Sequence, residues 1–175
     1  MKNFNLQMFA EAVSGKRIVY LFRPLNLAAT LDAAILAFTT ENSRTKSRDA
    51  ESTETKDGPI RTPGAMEQEI TATALLTKDN ILIKQLESAM DNGHIIEIWE
   101  ANLDENVEDE ANQFKGNYYQ GYLTELEITS TAEDFVECSL TFAINGKGVS
   151  GNVSVSMEQQ AIAGYVFRDT AKTGA

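Results

Sequence analysis

The amino-acid sequence predicts a mainly β fold: an antiparallel β-sandwich or barrel with one flanking α-helix and a long inter-strand loop. Three observations predict this class. Several segments alternate apolar and polar residues with the period of two that gives a strand one buried and one exposed face. A single segment has the apolar spacing and the end signals of an α-helix. A long segment, about 40–64, is almost entirely polar and lies between two predicted strands.

Length and composition are those of one folded domain. The chain has 175 residues, of which 42% are hydrophobic. We therefore expect a single domain over 1–175, with flexible termini and a core that needs neither a disulfide nor a metal. Cys138 is the only cysteine, which favours folding in a reducing cytoplasm. Polar residues interrupt the amino-terminal segment, and no window approaches the roughly 20 apolar residues of a membrane span, so we expect a soluble protein without a secretion signal.

Three strands are predicted in the first half of the chain. RIVYLF (17–22) is a short run rich in apolar β-branched and aromatic residues and predicts a buried strand. AAILAFT (33–39) fits either a strand or a helix, and we favour a strand. EQEITATALL (67–76) alternates cleanly between apolar and polar residues and predicts a half-buried strand.

The helix is predicted in DNILIKQLESAMDNG (79–93). Asp79 suits the amino-terminal cap, and Gly93 suits the position just past the carboxyl end. Between them, one apolar stripe is expected from Leu82, Leu86, Ala89 and Met90.

The second half of the chain again predicts strands. HIIEIWE (94–100) is followed by ANLDENVEDEANQ (101–113), which has five acids and no base and predicts a solvated loop. GNYYQGYLTELEITST (116–131) and DFVECSLTFAI (134–144) predict an antiparallel hairpin joined through Ala132-Glu133. NVSVSME (152–158) and QAIAGYVF (160–167) are the last two predicted strands.

No constellation of catalytic or metal-binding residues is apparent in the sequence. The single histidine, His94, begins a predicted strand, and Cys138 falls on the apolar face of another, where a buried thiol is inert. No Cys/His cluster has metal-ligand spacing, and no phosphate-binding loop is present. We expect no enzyme activity, no cofactor and no metal.

The distribution of charge favours a role in interactions over a role in catalysis. The formal net charge of −11 is opposite to the basic stripe with which proteins grip DNA phosphates. The polar segment itself carries five bases and five acids between Thr40 and Arg61. Such balanced charges suit either a mobile surface loop or docking onto another copy of the chain. The residues that we select for such contacts between subunits are Arg44, Lys46, Arg48, Asp49, Glu51, Lys56, Asp57 and Arg61.

An ordered set of segments resembles one known family. The set begins with GKRIVYLFRPL and LAFTTENSRTKSRDAESTETKDGPIRTPGAMEQEI, and continues through LESAM, IIEIWEANL, YYQGYLTELEITSTAEDFVECSLTFAINGKG and AGYVFRDT. In these segments the chain resembles the major tail protein, or tail tube protein, family of siphophages, in particular the lactococcal and streptococcal phage type. The resemblance covers nearly the whole chain.

The resemblance implies a structural virion protein and no enzyme. Members of this family self-assemble into hexameric rings that stack into a hollow tail tube, the conduit for DNA ejection. It implies as partners further copies of the chain, the tape measure protein, the tail terminator and the distal tail or baseplate protein, with transient non-specific passage of DNA and no membrane. It implies a place in the virion tail after assembly in the host cytoplasm, and makes 40–64 the contact between subunits, chiefly between rings.

The sequence also supports a hypothesis for the lumen and leaves an alternative mode of assembly. As a hypothesis, the polar strand faces that carry Glu69, Glu125, Glu127 and Glu137 line the lumen, since carboxylates do not bind phosphate. The alternative to a tube subunit is a ring-forming tail adaptor or terminator of related fold. A small β-barrel that binds a ligand or acts as an enzyme would need convergent polar groups in a pocket, and the sequence offers none.

Overall fold

The computed structural model describes residues 13–78, 80–108 and 110–163. These residues form eight strands, two α-helices and two short 3-10 turns, Gly15–Arg17 and Leu25–Leu27. The helices are α1 (Ile81–Asp91) and α2 (Met157–Ala163). The strands are β1 (Ile18–Pro24), β2 (Ala34–Ile35), β3 (Thr39–Thr55), β4 (Gly58–Leu75), β5 (Ile96–Asn106), β6 (Gln113–Thr129), β7 (Glu137–Ile144) and β8 (Val149–Ser154). The predicted mainly β class with a flanking helix is confirmed.

All strand pairs are antiparallel, and the eight strands belong to one hydrogen-bonded sheet. Its order is β2-β1-β5-β6-β7-β4-β3, and β8 pairs with β6 outside this path. The long strand β6 joins the two parts of the sheet. Its first half pairs with β5 and β8, and its second half pairs with β7. The hairpin predicted over 116–144 is confirmed, although its link is longer than expected and spans 130–136.

The sheet buries two separate clusters of side chains. The larger cluster includes Phe22 and Phe142, whose rings stack with centroids 5.1 Å apart, and it is covered by α1. The smaller cluster includes Val19, Leu21 and Val153. Strand β1 contributes to both clusters, which explains why its sequence is a continuous apolar run without alternation.

Helix α1 forms where it was predicted, with small differences at its start and on its buried face. Its amino-terminal cap is Asn80, whose side chain accepts a hydrogen bond from the Ile83 amide at 3.2 Å; the predicted cap, Asp79, lies outside the described residues. Gly93 follows the helix with a φ of 66°, as expected for its position. Ile83 joins the buried stripe, and Met90 is 38% exposed.

Two predicted strands differ from the structure. Residues 33–39 contain the two-residue strand β2 and the first residue of β3, because the chain turns between them through Phe38, which has a φ of 55°. The strand predicted at 160–167 is helix α2 as far as Ala163, and 164–167 lie outside the described residues. The helix begins with a reciprocal cap, in which Ser156 Oγ accepts from the Gln159 amide and Gln159 Oε1 accepts from the Ser156 amide.

Two predicted loops also differ from the structure. The acidic segment 101–113 is largely strand, since β5 continues to Asn106 and β6 begins at Gln113. The long inter-strand loop at 40–64 is not a loop but most of the β3–β4 hairpin.

Among the described residues, neither helix is long and apolar enough to cross a membrane.

Candidate functional site

The β3–β4 hairpin extends well past the sheet to which it belongs. Strand β4 pairs with β7 only from Glu69 to Leu75, but it pairs with β3 over nearly its whole length. We call the two-stranded part outside the sheet, residues 46–68, the arm. It is about 30 Å long at the usual rise per strand residue. Residues 45–57 are all exposed, and because an isolated two-stranded ribbon is at best marginally stable, such an arm needs a partner.

The tip of the arm is a two-residue turn. Thr55 and Gly58 form the last cross-strand pair, and Lys56 and Asp57 connect them. The Thr55 hydroxyl donates to the Gly58 carbonyl oxygen at 2.6 Å, and Gly58 has a φ of 120°, which a residue with a side chain rarely adopts. The Asp-Gly turn signal in the sequence therefore closes a hairpin.

Strand register separates the charges of the arm onto two faces. Arg44 pairs with the buried Ile70, so Lys46 and Arg48, at alternate positions of β3, continue the same face. A bulge then places two residues, Gly64 and Ala65, opposite the single residue Asp49. Because of this extra residue, Arg61, which pairs with Ser52, lies on the same face as Lys46 and Arg48. We call this the basic face; its bases in the arm are Lys46, Arg48 and Arg61, and its one acid is Glu54.

The other side of the arm is the acidic face. It carries Asp49, Glu51 and Glu67, and no lysine or arginine of the two arm strands lies on it. Apart from Glu54, the acids and bases of the two arm strands therefore lie on opposite faces. The arm presents opposite charges on its two surfaces.

The base of the arm is fixed to the rest of the chain by a half-buried ion pair. Arg44 Nε lies 2.9 Å from Glu100 Oε2 on β5, and the Tyr119 hydroxyl donates to the same oxygen at 3.1 Å. Burial and the Glu100 carboxylate together raise the pKa of Tyr119 to about 12, against the opposing effect of Arg44. Burial lowers the pKa of Arg44, but Glu100, Tyr119 and Tyr20 together outweigh this effect and the pKa is raised. Arg44 thus has its partner within its own chain.

A second polar surface covers the side of the sheet opposite α1. Along β4, β7 and β6 the register aligns Thr71 with Thr141, and Thr141 in turn with Glu125. The four strands β3, β4, β7 and β6 present Ser, Thr and Glu side chains on this side and no lysine or arginine. We call it the polar sheet face. It brings together all four carboxylates predicted to share a surface, namely Glu69, Glu125, Glu127 and Glu137.

Comparison with known proteins assigns the chain to a family. A family model described as phage tail tube protein matches residues 12–150. The chain belongs to the phage tail tube protein family. It is therefore a structural component of a phage tail.

Individual relatives of this tail tube protein are distant in sequence. A protein of Staphylococcus phage phiMR25 described as a tail protein is 26% identical over 166 residues, covering 93% of this chain and 84% of the relative. The tail tube protein gp17.1* of Bacillus phage SPP1 is 23% identical over 164 residues. That match covers 92% of this chain but only 61% of the SPP1 protein.

Solved structures share the fold of this tail tube protein. The SPP1 tail tube matches with a TM-score of 0.71 at 22% identity, covering 94% of this chain and 95% of the other. The tail of an empty gene transfer agent particle matches with a TM-score of 0.60 at 12% identity, covering 79% and 98%. The predicted family and its fold are confirmed.

The other residues considered in the sequence, His94 and Cys138, do not lie in a common site. His94 borders an open groove of about 420 Å³ beside α1, with Lys84 and Ser88. The Cys138 thiol is buried, and burial together with the nearby Glu87 raises its pKa. Among the residues described, no group of three His, Cys, Asp or Glu side chains could hold a metal ion.

Sequence reasoning missed one buried polar network in the tail tube subunit. Glu97 is buried, lies 2.8 Å from Arg23 Nη2, and accepts a hydrogen bond from the Tyr118 hydroxyl at 2.8 Å. The Arg23 guanidinium also stacks over Trp99. These residues lie on three adjacent strands, so only the strand order brings them together.

Proposed function

We propose that the chain assembles with copies of itself into hexameric rings that stack into a tail tube, through which DNA is ejected. The observation that carries the proposal is the arm, an ordered ribbon that is exposed on both faces and oppositely charged on them. Membership of the tail tube family supports the tube. The six-fold symmetry of the gene transfer agent tail, which shares the fold, supports the hexamer.

The polar sheet face is the surface that we assign to the lumen. Its carboxylates, Glu69, Glu125, Glu127 and Glu137, are exposed and have no lysine or arginine beside them on the four strands. Since proteins bind DNA mainly by neutralising phosphates, such a surface lets DNA pass without holding it. Ser and Thr side chains lie between the carboxylates and keep most of this surface polar, and Tyr122 and Ala143 are the exposed apolar side chains beside them.

The arm is the part that we assign to contacts between rings. Its charged residues face solvent in the single chain, and the polar composition of both faces rules out a role in the core of the subunit. We leave Arg44 out of the proposed contacts because it forms an ion pair with Glu100 of the same chain. The proposed contact residues are Lys46, Arg48, Asp49, Glu51, Lys56, Asp57 and Arg61.

The remaining parts of the proposal follow from a role in a tail. The chain acts as one tail tube domain, without enzyme activity, cofactor or membrane. Its partners besides itself are the tape measure protein, the tail terminator and the distal tail or baseplate protein. A solved structure described as a sheath/tube terminator shares the fold with a TM-score of 0.53 and supports tail partners of this kind. Assembly takes place in the host cytoplasm, and the product resides in the virion.

Negative-stain electron microscopy of the purified chain tests the proposal. We expect hollow tubes of variable length that become more numerous as the protein concentration rises. Closed single rings that never stack would instead favour a tail adaptor or terminator. Only small particles, both alone and after isolated phage tails are added as seeds, would contradict assembly into a tube.

A further inference from the structure

We propose that the basic face of the arm docks on the segment 130–136 of a second copy, so that copies join head to tail along the strands. This inference rests on the proposed function and names the acceptor that the arm meets. The acceptor consists of the segment 130–136, which connects β6 to β7, together with Phe38. We call it the acceptor end.

The acceptor end and the arm lie at opposite ends of the same strands. Strand β3 starts at Thr39, β4 stops at Leu75 and β7 starts at Glu137, all at the end away from the arm tip. Two backbone hydrogen bonds hold the acceptor end there. The Leu76 amide donates to the Val136 carbonyl oxygen at 2.7 Å, and the Leu75 amide donates to that of Phe38 at 3.1 Å.

The acceptor end combines exposed aromatic rings with negative charge. Phe135 is 80% exposed and Phe38 is 65% exposed, unusual values for phenylalanine. Phe38 has a φ of 55°, a conformation that costs energy in any residue other than glycine. Glu133 and Asp134 are exposed beside Phe135, whereas the segment after β4 adds one exposed base, Lys78. Exposed rings edged by charged groups are typical of an interaction surface.

The basic face of the arm has the complementary composition. Lys46, Arg48 and Arg61 take part in no ion pair among the described residues. Between them the face carries Ala50, Pro63 and Met66, which supply a narrow apolar strip. Its positive charges match Glu133 and Asp134, and its apolar strip matches the two phenylalanines. Complementary potentials of this kind select the partner and set the orientation of docking.

Head-to-tail docking also accounts for open-ended growth. Because the arm and its acceptor are at opposite ends of one chain, each contact leaves a free arm at one end and a free acceptor at the other. A contact between different surfaces that does not close on itself produces a filament. In this arrangement the acidic face of the arm continues the polar sheet face, since Glu67 follows Glu69 on the same side of β4.

Charge reversal with rescue tests the docking. We expect the arm variant K46E/R48E/R61E and the acceptor variant E133K/D134K each to raise the protein concentration required for tubes by about tenfold or more, which corresponds to roughly 1.4 kcal/mol. Combining the two variants in one chain should return that concentration to within about threefold of the wild type. All five positions are exposed, so the Tm of each variant should stay close to that of the wild type.

The matched control places the same charge change elsewhere. Glu105, near the end of β5, and Glu108, just after β5, are exposed acids outside the acceptor end. The arm variant combined with E105K/E108K should stay as defective as the arm variant alone. Equal rescue by the two acidic sites, or normal tubes from the arm variant, would overturn the docking while leaving the tube intact. Absence of tubes from the wild type, both alone and after isolated phage tails are added as seeds, would instead refute the proposed function, and the docking with it.

Discussion

Arg44 on β3 and Glu100 on β5 form an ion pair although their strands are four positions apart in the sheet. Four strand spacings in a flat sheet amount to about 19 Å, too far for these side chains to meet. The sheet must therefore curl so that its side facing α1 is concave and brings Arg44 and Glu100 together. Arg44 is two residues before the arm, so the pair also sets the direction in which the arm leaves the subunit.

Removing Arg44 should destabilise the subunit. The Arg44→Ala variant leaves the Glu100 carboxylate, only 14% exposed, without its cation, and we expect a loss of about 1–2 kcal/mol in the free energy of unfolding measured with urea. Arg48→Ala is the matched control, because Arg48 lies on the same face of β3 but is exposed and takes part in no ion pair among the described residues. Equal losses for the two variants would show that the Arg44–Glu100 pair does not stabilise the subunit.

Stability should decline in alkaline solution through Tyr119. In the unfolded chain a tyrosine loses its proton near pH 10, whereas in the folded chain the pKa of Tyr119 is raised to about 12. The folded state thus retains a proton that the unfolded state releases, so the contribution is complete below pH 10 and is lost as the pH rises towards 12.

Urea unfolding at pH 8, 10 and 11 measures this effect. The Tyr119→Phe variant should have a shallower decline above pH 10 than the wild type, by about 1 kcal/mol for each pH unit. Tyr122→Phe, which removes a phenol from the opposite face of β6, is the control. Identical slopes for the wild type and the Tyr119 variant would contradict the buried environment of Tyr119.

Two glycines that face each other across β6 and β8 should tolerate alanine differently. A Cβ at Gly116 would overlap the Glu100 carbonyl oxygen and lie 2.8 Å from Val153 Cγ2, whereas a Cβ at Gly151 meets nothing within 4 Å. We expect Gly116→Ala to cost about 2 kcal/mol or more and Gly151→Ala to be neutral or slightly stabilising. Thermal unfolding of both variants measures the difference, and a stable Gly116→Ala protein would refute the close strand packing.

Shortening the arm should separate folding from assembly. Replacing residues 47–67 by a two-residue Asn-Gly turn joins Lys46 to Gln68, which already pair across the strands, and removes no residue of the buried core. Circular dichroism should show a folded subunit with a Tm near that of the wild type. Electron microscopy should show no tubes; tubes of normal length would exclude the arm from assembly.

The structure explains why some elements were predictable and others were not. Alternation identifies a strand only where one face is buried and the other is exposed, as in β4 from Glu69 onwards and in β7. The arm is exposed on both faces, so its strands have no such contrast and were interpreted as a loop. Helix α2 does have a local signal, the Ser-x-x-Gln cap at Ser156 and Gln159. The apolar residues that follow this cap were nevertheless interpreted as a strand.

The sequence by itself determined the strand-rich class, helix α1 and the net negative charge, because these depend on local spacing and on composition. It also placed Glu125 and Glu127 on one face of one strand, since side chains alternate with a period of two. Only the tertiary structure decided which strands are neighbours. Strand order and register brought Glu69 and Glu137 beside those residues, paired Arg44 with Glu100, and separated the charges of the arm onto two faces. Contacts between residues distant in the chain depend on pairing, which no local pattern specifies.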